Sequence, residues 1–220
     1  MIYNIAIDGP AGAGKSTIAK RVAKNLGFIY VDTGAMYRAM AVYFLDKGID
    51  VNDEDAVSRD CDNVNIMIEY KDNLQQVILN GENITSRLRT EEVGNTASAV
   101  AVYPAVRKKL VELQKELAKK TSVVMDGRDI GSCVLKDAVC KIYLTASVEC
   151  RALRRMAELQ EKGVDTSLEI IKADISDRDY RDMHRDVSPL IQAEDAVYLD
   201  SSDMGIEEVT DKIILAEVVV

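Results

Sequence analysis

The chain has 220 residues, 47% of them hydrophobic and 30% charged, with a net charge of −9 at pH 7. So acidic a balance excludes a general nucleic-acid binder, which needs surplus basic surface, and any anion must be held by locally concentrated arginines. No run approaches the roughly 18 apolar residues of a membrane span. The chain enters its first apolar strand directly, without room for a signal peptide, so a soluble, cytoplasmic protein that binds neither membrane nor nucleic acid is expected. Its length suits one core with an insertion better than two domains. The four cysteines, Cys61, Cys133, Cys140 and Cys150, form no C-x-x-C pair, and His184 is the single histidine. Buried, reduced thiols are therefore expected rather than a zinc site or a disulfide framework.

The first element is the short apolar strand Ile5-Ala6-Ile7, followed by D-G-P-A-G-A-G-K-S-T from Asp8 to Thr17. Gly9, Gly14, Lys15 and Ser16 fit the pattern G-x-x-x-x-G-K-[ST], in which glycines let successive backbone N–H groups close around a phosphate chain. A helix beginning near Lys15, with Ile18, Val22 and Leu26 on one face, aims its positive dipole end at the same place. Lys15 would neutralise the outer phosphates and the Ser16 hydroxyl would coordinate Mg²⁺. The pattern predicts a nucleoside triphosphate site.

Phe28-Ile29-Tyr30-Val31 reads as a short buried strand running into Asp32-Thr33-Gly34-Ala35-Met36-Tyr37-Arg38. Ligands of parallel α/β sheets sit beyond the carboxyl ends of strands, which makes Thr33, Tyr37 and Arg38 candidates for a second ligand. The alternative is that Thr33 is only the N-cap of a helix reaching about Lys47. From Val64 to Ile84, two apolar runs flank a Lys71-Asp72-Asn73 turn, and Asn80-Gly81 marks another turn. Residues 63–92 read as an inserted antiparallel subdomain, or as an ordinary surface excursion. Pro104 opens a long helix with Val106, Leu110, Leu113 and Leu117 on its core face. Arg107 falls one position off that stripe, where an arginine is normally solvated.

The strand Ser122-Val123-Val124-Met125 delivers Asp126-Gly127-Arg128-Asp129, and an acid in that place holds Mg²⁺ in phosphate-loop proteins. Lys141-Ile142-Tyr143-Leu144 is the next strand and precedes a helix carrying Arg151, Arg154 and Arg155. A further helix, from about Ser167 to His184, puts Arg178, Asp182 and Arg185 on one face. These could be plain helix salt bridges such as Arg178 with Asp182. They could equally, with Arg155, form an arginine lid for phosphoryl transfer. His184 lies among arginines, which favours a surface role. A strand at Ala196-Val197-Tyr198-Leu199 and a helix from about Ile206 complete an α/β fold, a phosphate-loop parallel sheet flanked by helices.

The phosphate loop, D-T-G-A-M-Y-R, D-G-R-D-I-G and R-D-Y-R-D-M-H-R-D-V-S-P-L occur in this order, and together they resemble the bacterial cytidylate kinases over nearly the whole length. The resemblance implies transfer of a phosphoryl group from ATP to CMP or dCMP with Mg²⁺, and a core with a monophosphate-binding subdomain at 63–92 and a helical lid at 151–185. It implies ATP phosphates on Gly9, Pro10, Ala11, Gly12, Ala13, Gly14, Lys15, Ser16 and Thr17, with Arg151 and Arg155 flanking ATP. Mg²⁺ would sit at Ser16 and Asp126. The CMP phosphate would meet Arg38, Arg128 and Arg185, near Thr33 and Tyr37; Arg178 and Asp182 would hold the ribose; Ser98, Arg107 and Asp129 would read cytosine. Lys15, Arg128, Arg178 and Arg185 become the catalytic set, and a monomer is expected.

Physical chemistry is compatible with this. Asp129 can accept a hydrogen bond from the cytosine N4 amino group, and Arg107 can donate to the ring nitrogen and carbonyl. The attacking oxygen belongs to a phosphate already ionised at neutral pH, so no general base is needed. Competing readings lack elements: a GTPase switch would need N-K-x-D, absent from the chain, and a mechanical ATPase usually has Glu where Gly127 follows Asp126.

Overall fold

The computed structural model describes residues 2–72, 74–161 and 163–218. Asn73 of the expected hairpin turn, and Val219 and Val220 of the C-terminal tail, lie outside the described residues. The chain divides into two compact units, one formed by Met1–Tyr30 with Thr121–Val220 and the other by Val31–Lys120.

The first unit is built on β1 (Asn4–Asp8), which pairs in parallel with both β6 (Val123–Gly127) and β7 (Cys140–Thr145), while β7 pairs in parallel with β8 (Val197–Asp200). With β2 (Ile29–Asp32), the sheet order is β2-β6-β1-β7-β8. The consecutive strands β6 and β7 thus lie on opposite sides of β1. That places a topological switch point at the carboxyl end of β1, where open α/β sheets bind ligands. Helix α1 (Lys15–Leu26) buries Ile18, Ala19, Val22 and Ala23 against Ile5, Ile7, Val124, Ile142 and Leu144, and Val209 and Ile213 of α8 (Ile206–Val218) join the same core. Helices α6 (Val148–Glu161) and α7 (Leu168–His184) pack through Ala152, Ile171 and Ile175.

Asp8 fixes the turn that follows β6. Its carboxylate accepts from Ile130 N–H at 2.8 Å and Gly131 N–H at 2.7 Å, at the start of the five-residue turn Ile130–Val134. Gly9 then leaves β1 at φ 149°, and a Cβ there would stand 1.9 Å from the Leu144 carbonyl oxygen, so only glycine permits this approach.

The second unit carries α2 (Thr33–Lys47), α3 (Glu54–Asp60), α4 (Glu91–Val100) and α5 (Pro104–Ala118), with an antiparallel sheet of β3 (Ile66–Lys71), β4 (Leu74–Leu79) and β5 (Glu82–Asn83). The β4–β5 reversal uses Asn80 at φ 48° and Gly81 at φ 88°, as the Asn-Gly signal requires. Phe44, Met36, Met40, Ile84, Val100 and Leu110 are fully buried here.

Several sequence expectations need correction. The N-cap of α2 is Asp32, whose side chain accepts from Ala35 N–H; Thr33 is the first helical residue. The buried face of α5 is Val106, Arg107, Leu110, Gln114 and Ala118, because the helix is rotated by about one position from the leucine stripe. Leu113 and Leu117 are therefore only half-buried, and Arg107 is in the core rather than solvated. Strand β2 is half-buried at Ile29 and Tyr30. All four cysteines are free thiols, but only Cys61 and Cys140 are buried. Among the described residues, no helix is long and apolar enough to cross a membrane.

Burial pushes the Asp8 carboxyl up from 3.8 to about 6, against the pull of its two backbone N–H bonds. A raised acid holds its proton more tightly in the folded state, so its stabilising effect is complete below pH 3.8 and is lost as pH rises through about 6. The stability of wild type relative to Asp8→Asn should accordingly fall by roughly 3 kcal/mol or less between pH 4 and pH 7. Urea midpoints measured at both pH values check this, and a constant difference would contradict it.

Candidate functional site

The segment from Gly9 to Gly14 curls between β1 and α1, and the first residue of α1 is Lys15. Lys15 is 6% exposed and its Nζ donates to the Pro10 carbonyl at 2.7 Å, across the loop it closes. Burial, and then the nearby Arg128 charge, push its amine well below the usual lysine value, while Asp126, Asp182 and Asp8 act in the opposite sense. The charges that bear on Lys15 thus come from β1, β6, the loop after β6 and α7. An added anion would favour the protonated amine in the same way as those carboxylates.

One residue on, Ser16 Oγ donates to Asp126 Oδ2 at 2.8 Å, and Tyr30 OH donates to Asp126 Oδ1 at 2.8 Å. Asp126 is 6% exposed, at the carboxyl end of β6. Ser16 and Asp126 are hard oxygen donors in direct contact, which suits a small divalent cation that takes its remaining ligands from phosphate and water. Among the described residues no group of three or more His, Cys, Asp or Glu side chains could hold a metal.

Beside this lies a cluster of alternating charge. Arg128 Nε donates to Asp182 Oδ2 at 2.7 Å, Arg185 stands 3.8 Å from Asp182 Oδ1, and Arg185 also stands 3.9 Å from Asp129 Oδ1. Arg185 further donates from Nε to the Ser188 carbonyl at 2.6 Å. The Asp182 carboxyl is pulled upward by burial, yet Arg128, Arg185 and Arg178 together hold it below the usual carboxylate range. Burial likewise works against the charge on Arg128, but Asp182 and then Asp126 hold its guanidinium above the ordinary arginine value. Of the two open readings of α7, the helix salt bridge alone is too simple, because Asp182 reaches out of its own helix to Arg128.

Helix α6 braces the phosphate loop. Arg151 is 4% exposed; its Nε donates to the Ala146 carbonyl at 2.8 Å, its NH1 to the Ala11 carbonyl at 3.1 Å, and its NH1 pairs with Asp179 Oδ2 at 2.7 Å. Arg154 donates to the Ser201 carbonyl at 2.9 Å, whereas Arg155 is half-exposed and pairs with Glu158 at 3.1 Å. His184 is exposed and stacks on Tyr180 at 4.0 Å between ring centroids, as a surface histidine would.

In the second unit, Asp32 organises the start of α2. Its backbone is bracketed by Gln75 of β4, which accepts from Asp32 N–H at 2.8 Å and donates to Asp32 C=O at 3.2 Å; its side chain also takes Arg89 at 2.5 Å. Thr33 and Tyr37 follow at helical spacing, and the Arg38 guanidinium lies within 3.0 Å of the position a Cβ on Gly34 would take. The Arg107 guanidinium sits 5.8 Å from the Tyr37 ring centroid, a cation–π distance, and donates to the Ala101 carbonyl at 3.3 Å. Ser98, on α4, donates to the Gly94 carbonyl at 3.1 Å.

The sequence reading gave no site role to Tyr30, Gln75, Arg154 or Asp179. Tyr30 and Asp32 share a face of β2 by strand alternation, which was the one available signal for Tyr30. Gln75 and Asp179 carry no pattern that separates them from surface residues.

The family model for cytidylate kinase matches residues 5–218. A cytidylate kinase of Lactobacillus johnsonii is 48% identical over 212 residues, covering 96% of this chain and 92% of its own. Those of Oceanobacillus iheyensis and Bacillus cereus (strain B4264) are each 50% identical over 210 residues, covering 96% of this chain and 91% and 93% of theirs. A solved structure of an uncharacterized protein from Eubacterium ventriosum matches with a TM-score of 0.55 at 14% identity, over 97% of this chain and 96% of that one, a likeness of fold alone. With the model spanning nearly the whole sequence and relatives identical at about half of all positions, this chain belongs to the cytidylate kinase family.

Proposed function

We propose that the protein transfers the γ-phosphoryl group of ATP to CMP or dCMP, giving ADP with CDP or dCDP. The observation that carries this reading is the paired set Arg128, Asp182, Arg185 and Asp129, partly to fully buried and alternating in sign, two of whose charges bear on the phosphate-loop lysine. Such a set offers cations to a phosphate and carboxylates to hydroxyl or amino donors, which is the chemistry of a cytidine monophosphate.

The roles follow from what each group can donate or accept. Backbone N–H groups between Gly9 and Thr17, Pro10 excepted, cradle the ATP phosphates, and Lys15 compensates their charge. Arg151 and Arg155 belong to the ATP side, Arg151 by way of the Ala11 carbonyl it holds. When bound at Ser16 and Asp126, Mg²⁺ supplies further charge compensation on the phosphate oxygens. Arg38, Arg128 and Arg185, with Thr33 and Tyr37, receive the CMP phosphate; Arg178 and Asp182 take the ribose hydroxyls. Asp129 accepts from the N4 amino group while Arg107 and Ser98 serve the remaining polar edge of cytosine. The acceptor phosphate is already ionised, so positioning and charge compensation suffice. The antiparallel segment 63–92 serves as the monophosphate-binding subdomain and 151–185 as the lid. We assign the protein to the cytoplasm as a monomer, with small-molecule substrates only.

The direct test is ADP formation from Mg·ATP with CMP, dCMP, UMP, AMP and no acceptor side by side. CMP and dCMP should dominate, with a negligible acceptor-free rate; equal hydrolysis without acceptor would end this assignment. Chelation by EDTA should abolish turnover and added Mg²⁺ should restore it. Lys15→Ala should lower kcat by about two orders of magnitude or more while far-UV circular dichroism stays native; a folded, active variant would contradict the phosphate-loop role. Asp129→Ala should narrow the CMP:UMP ratio of kcat/KM by roughly tenfold or more, because uracil no longer faces a carboxylate with its own carbonyl. An unchanged ratio would remove Asp129 from base reading.

A further inference from the structure

Helix α7 presents Ile171 and Ile175 to α6, and the next residue on that buried stripe is Asp179. A carboxylate is the expensive choice there, since an apolar side chain on such a seam is commonly as stable or more so. Asp179 is 9% exposed, its Oδ1 has no hydrogen-bond partner among the described residues, and its Oδ2 meets Arg151 at 2.7 Å. Arg151 is anchored through Nε to Ala146, just past the end of β7, and its NH1 also holds the Ala11 carbonyl inside the phosphate loop. The loop backbone lies against the same side chain, since a Cβ on Gly12 would be 3.4 Å from Arg151 Cβ.

We propose that Arg151 and Asp179 are positioning residues that strap the phosphate loop to helix α7, so that the ATP cradle and the α7 residues Arg178 and Asp182 are held in place by one shared contact. The inference rests on the cytidylate kinase reading given above and deepens it. One guanidinium nitrogen serves both the loop carbonyl and the helix carboxylate, so displacement of either element must disturb the other. Asp179 follows Arg178 and precedes Asp182 by three residues on a rigid helix, so fixing Asp179 fixes their rotation about the helix axis. Arg151 thereby acts on ATP through the loop backbone, not through its own contact with phosphate.

The test is steady-state kinetics of wild type, Asp179→Asn, Arg151→Lys and the double variant, with KM determined for ATP at saturating CMP and for CMP at saturating ATP. Asp179→Asn keeps the shape and removes the charge; Arg151→Lys keeps the charge and removes the fork. Each single variant should raise both KM values by about fivefold or more with a smaller change in kcat, and the double variant should be no worse than the poorer single. Thermal melts establish that each variant is folded, and if Arg151→Lys fails to fold, the near-isosteric Asp179→Asn carries the test alone. Folded variants whose two KM values stay within about twofold of wild type, or in which only one of the two moves, would overturn the strap. A CMP-active wild type with unmoved variants removes this inference only, whereas a wild type without CMP-dependent ADP formation removes the kinase reading and the strap together.

Discussion

The constraint on which the first unit depends is the burial of cationic side chains in a protein that is acidic overall. Lys15 and Arg151 are buried, and Arg128 and Arg185 partly so, around the loop after β1, and an uncompensated buried charge costs several kcal/mol. Each is therefore given an oxygen before any substrate arrives: Pro10 carbonyl for Lys15, Asp182 for Arg128, Asp179 for Arg151, Asp129 and Ser188 carbonyl for Arg185. These partners differ in strength, and the difference is informative. Arg128–Asp182 is short and direct, while the Arg185 contacts at 3.8 and 3.9 Å are loose enough for a phosphate oxygen to compete with them.

This arrangement is preorganisation in the electrostatic sense. The cost of desolvating the arginines is met in folding, so it does not recur when the reacting phosphates enter. Asp182 remains anionic throughout the neutral range because Arg128, Arg185 and Arg178 outweigh the effect of its burial. Asp8 behaves oppositely, since burial dominates there and its carboxyl rises to about 6. Two carboxylates of one unit are thus shifted in opposite directions, because Asp182 faces three arginines while Asp8, more deeply buried, faces Lys15 and the like charge of Asp129.

How much of this was legible in the sequence depends on whether a pattern or a packing decision sets the residue. The phosphate loop was legible because glycine positions and the Lys-Ser pair are dictated locally by the phosphate chain they enclose. The sheet was legible because each of its strands is a short apolar run ending in a turn or an acid. Arg107 was not, because a helix rotated by about one residue exchanges Leu113 and Leu117 for Gln114 and Ala118, and no local propensity fixes that rotation. Helices α3 and α4 escaped because Glu54–Asp60 is short and polar and Glu91–Val100 contains Gly94, which weakens a helical signal. Asp179 escaped for the reverse reason: a charge next to Arg178 reads as solvated until its partner across the helix seam is known.

The scarcity of histidine fits the same chemistry. The one imidazole, His184, spends its ring on stacking with Tyr180 and its Nδ1 on the Tyr180 carbonyl at 2.8 Å. A reaction that had to deprotonate a hydroxyl would need a base poised near neutrality within reach of that hydroxyl. Phosphate as the attacking group brings its own ionisation, with a second pKa near 6, so the protein's task reduces to holding two polyanions together against their repulsion. That is why the residues gathered around Lys15 are arginines and the carboxylates that orient them, and why the positions of those arginines, not their acidity, are what the surrounding hydrogen bonds determine.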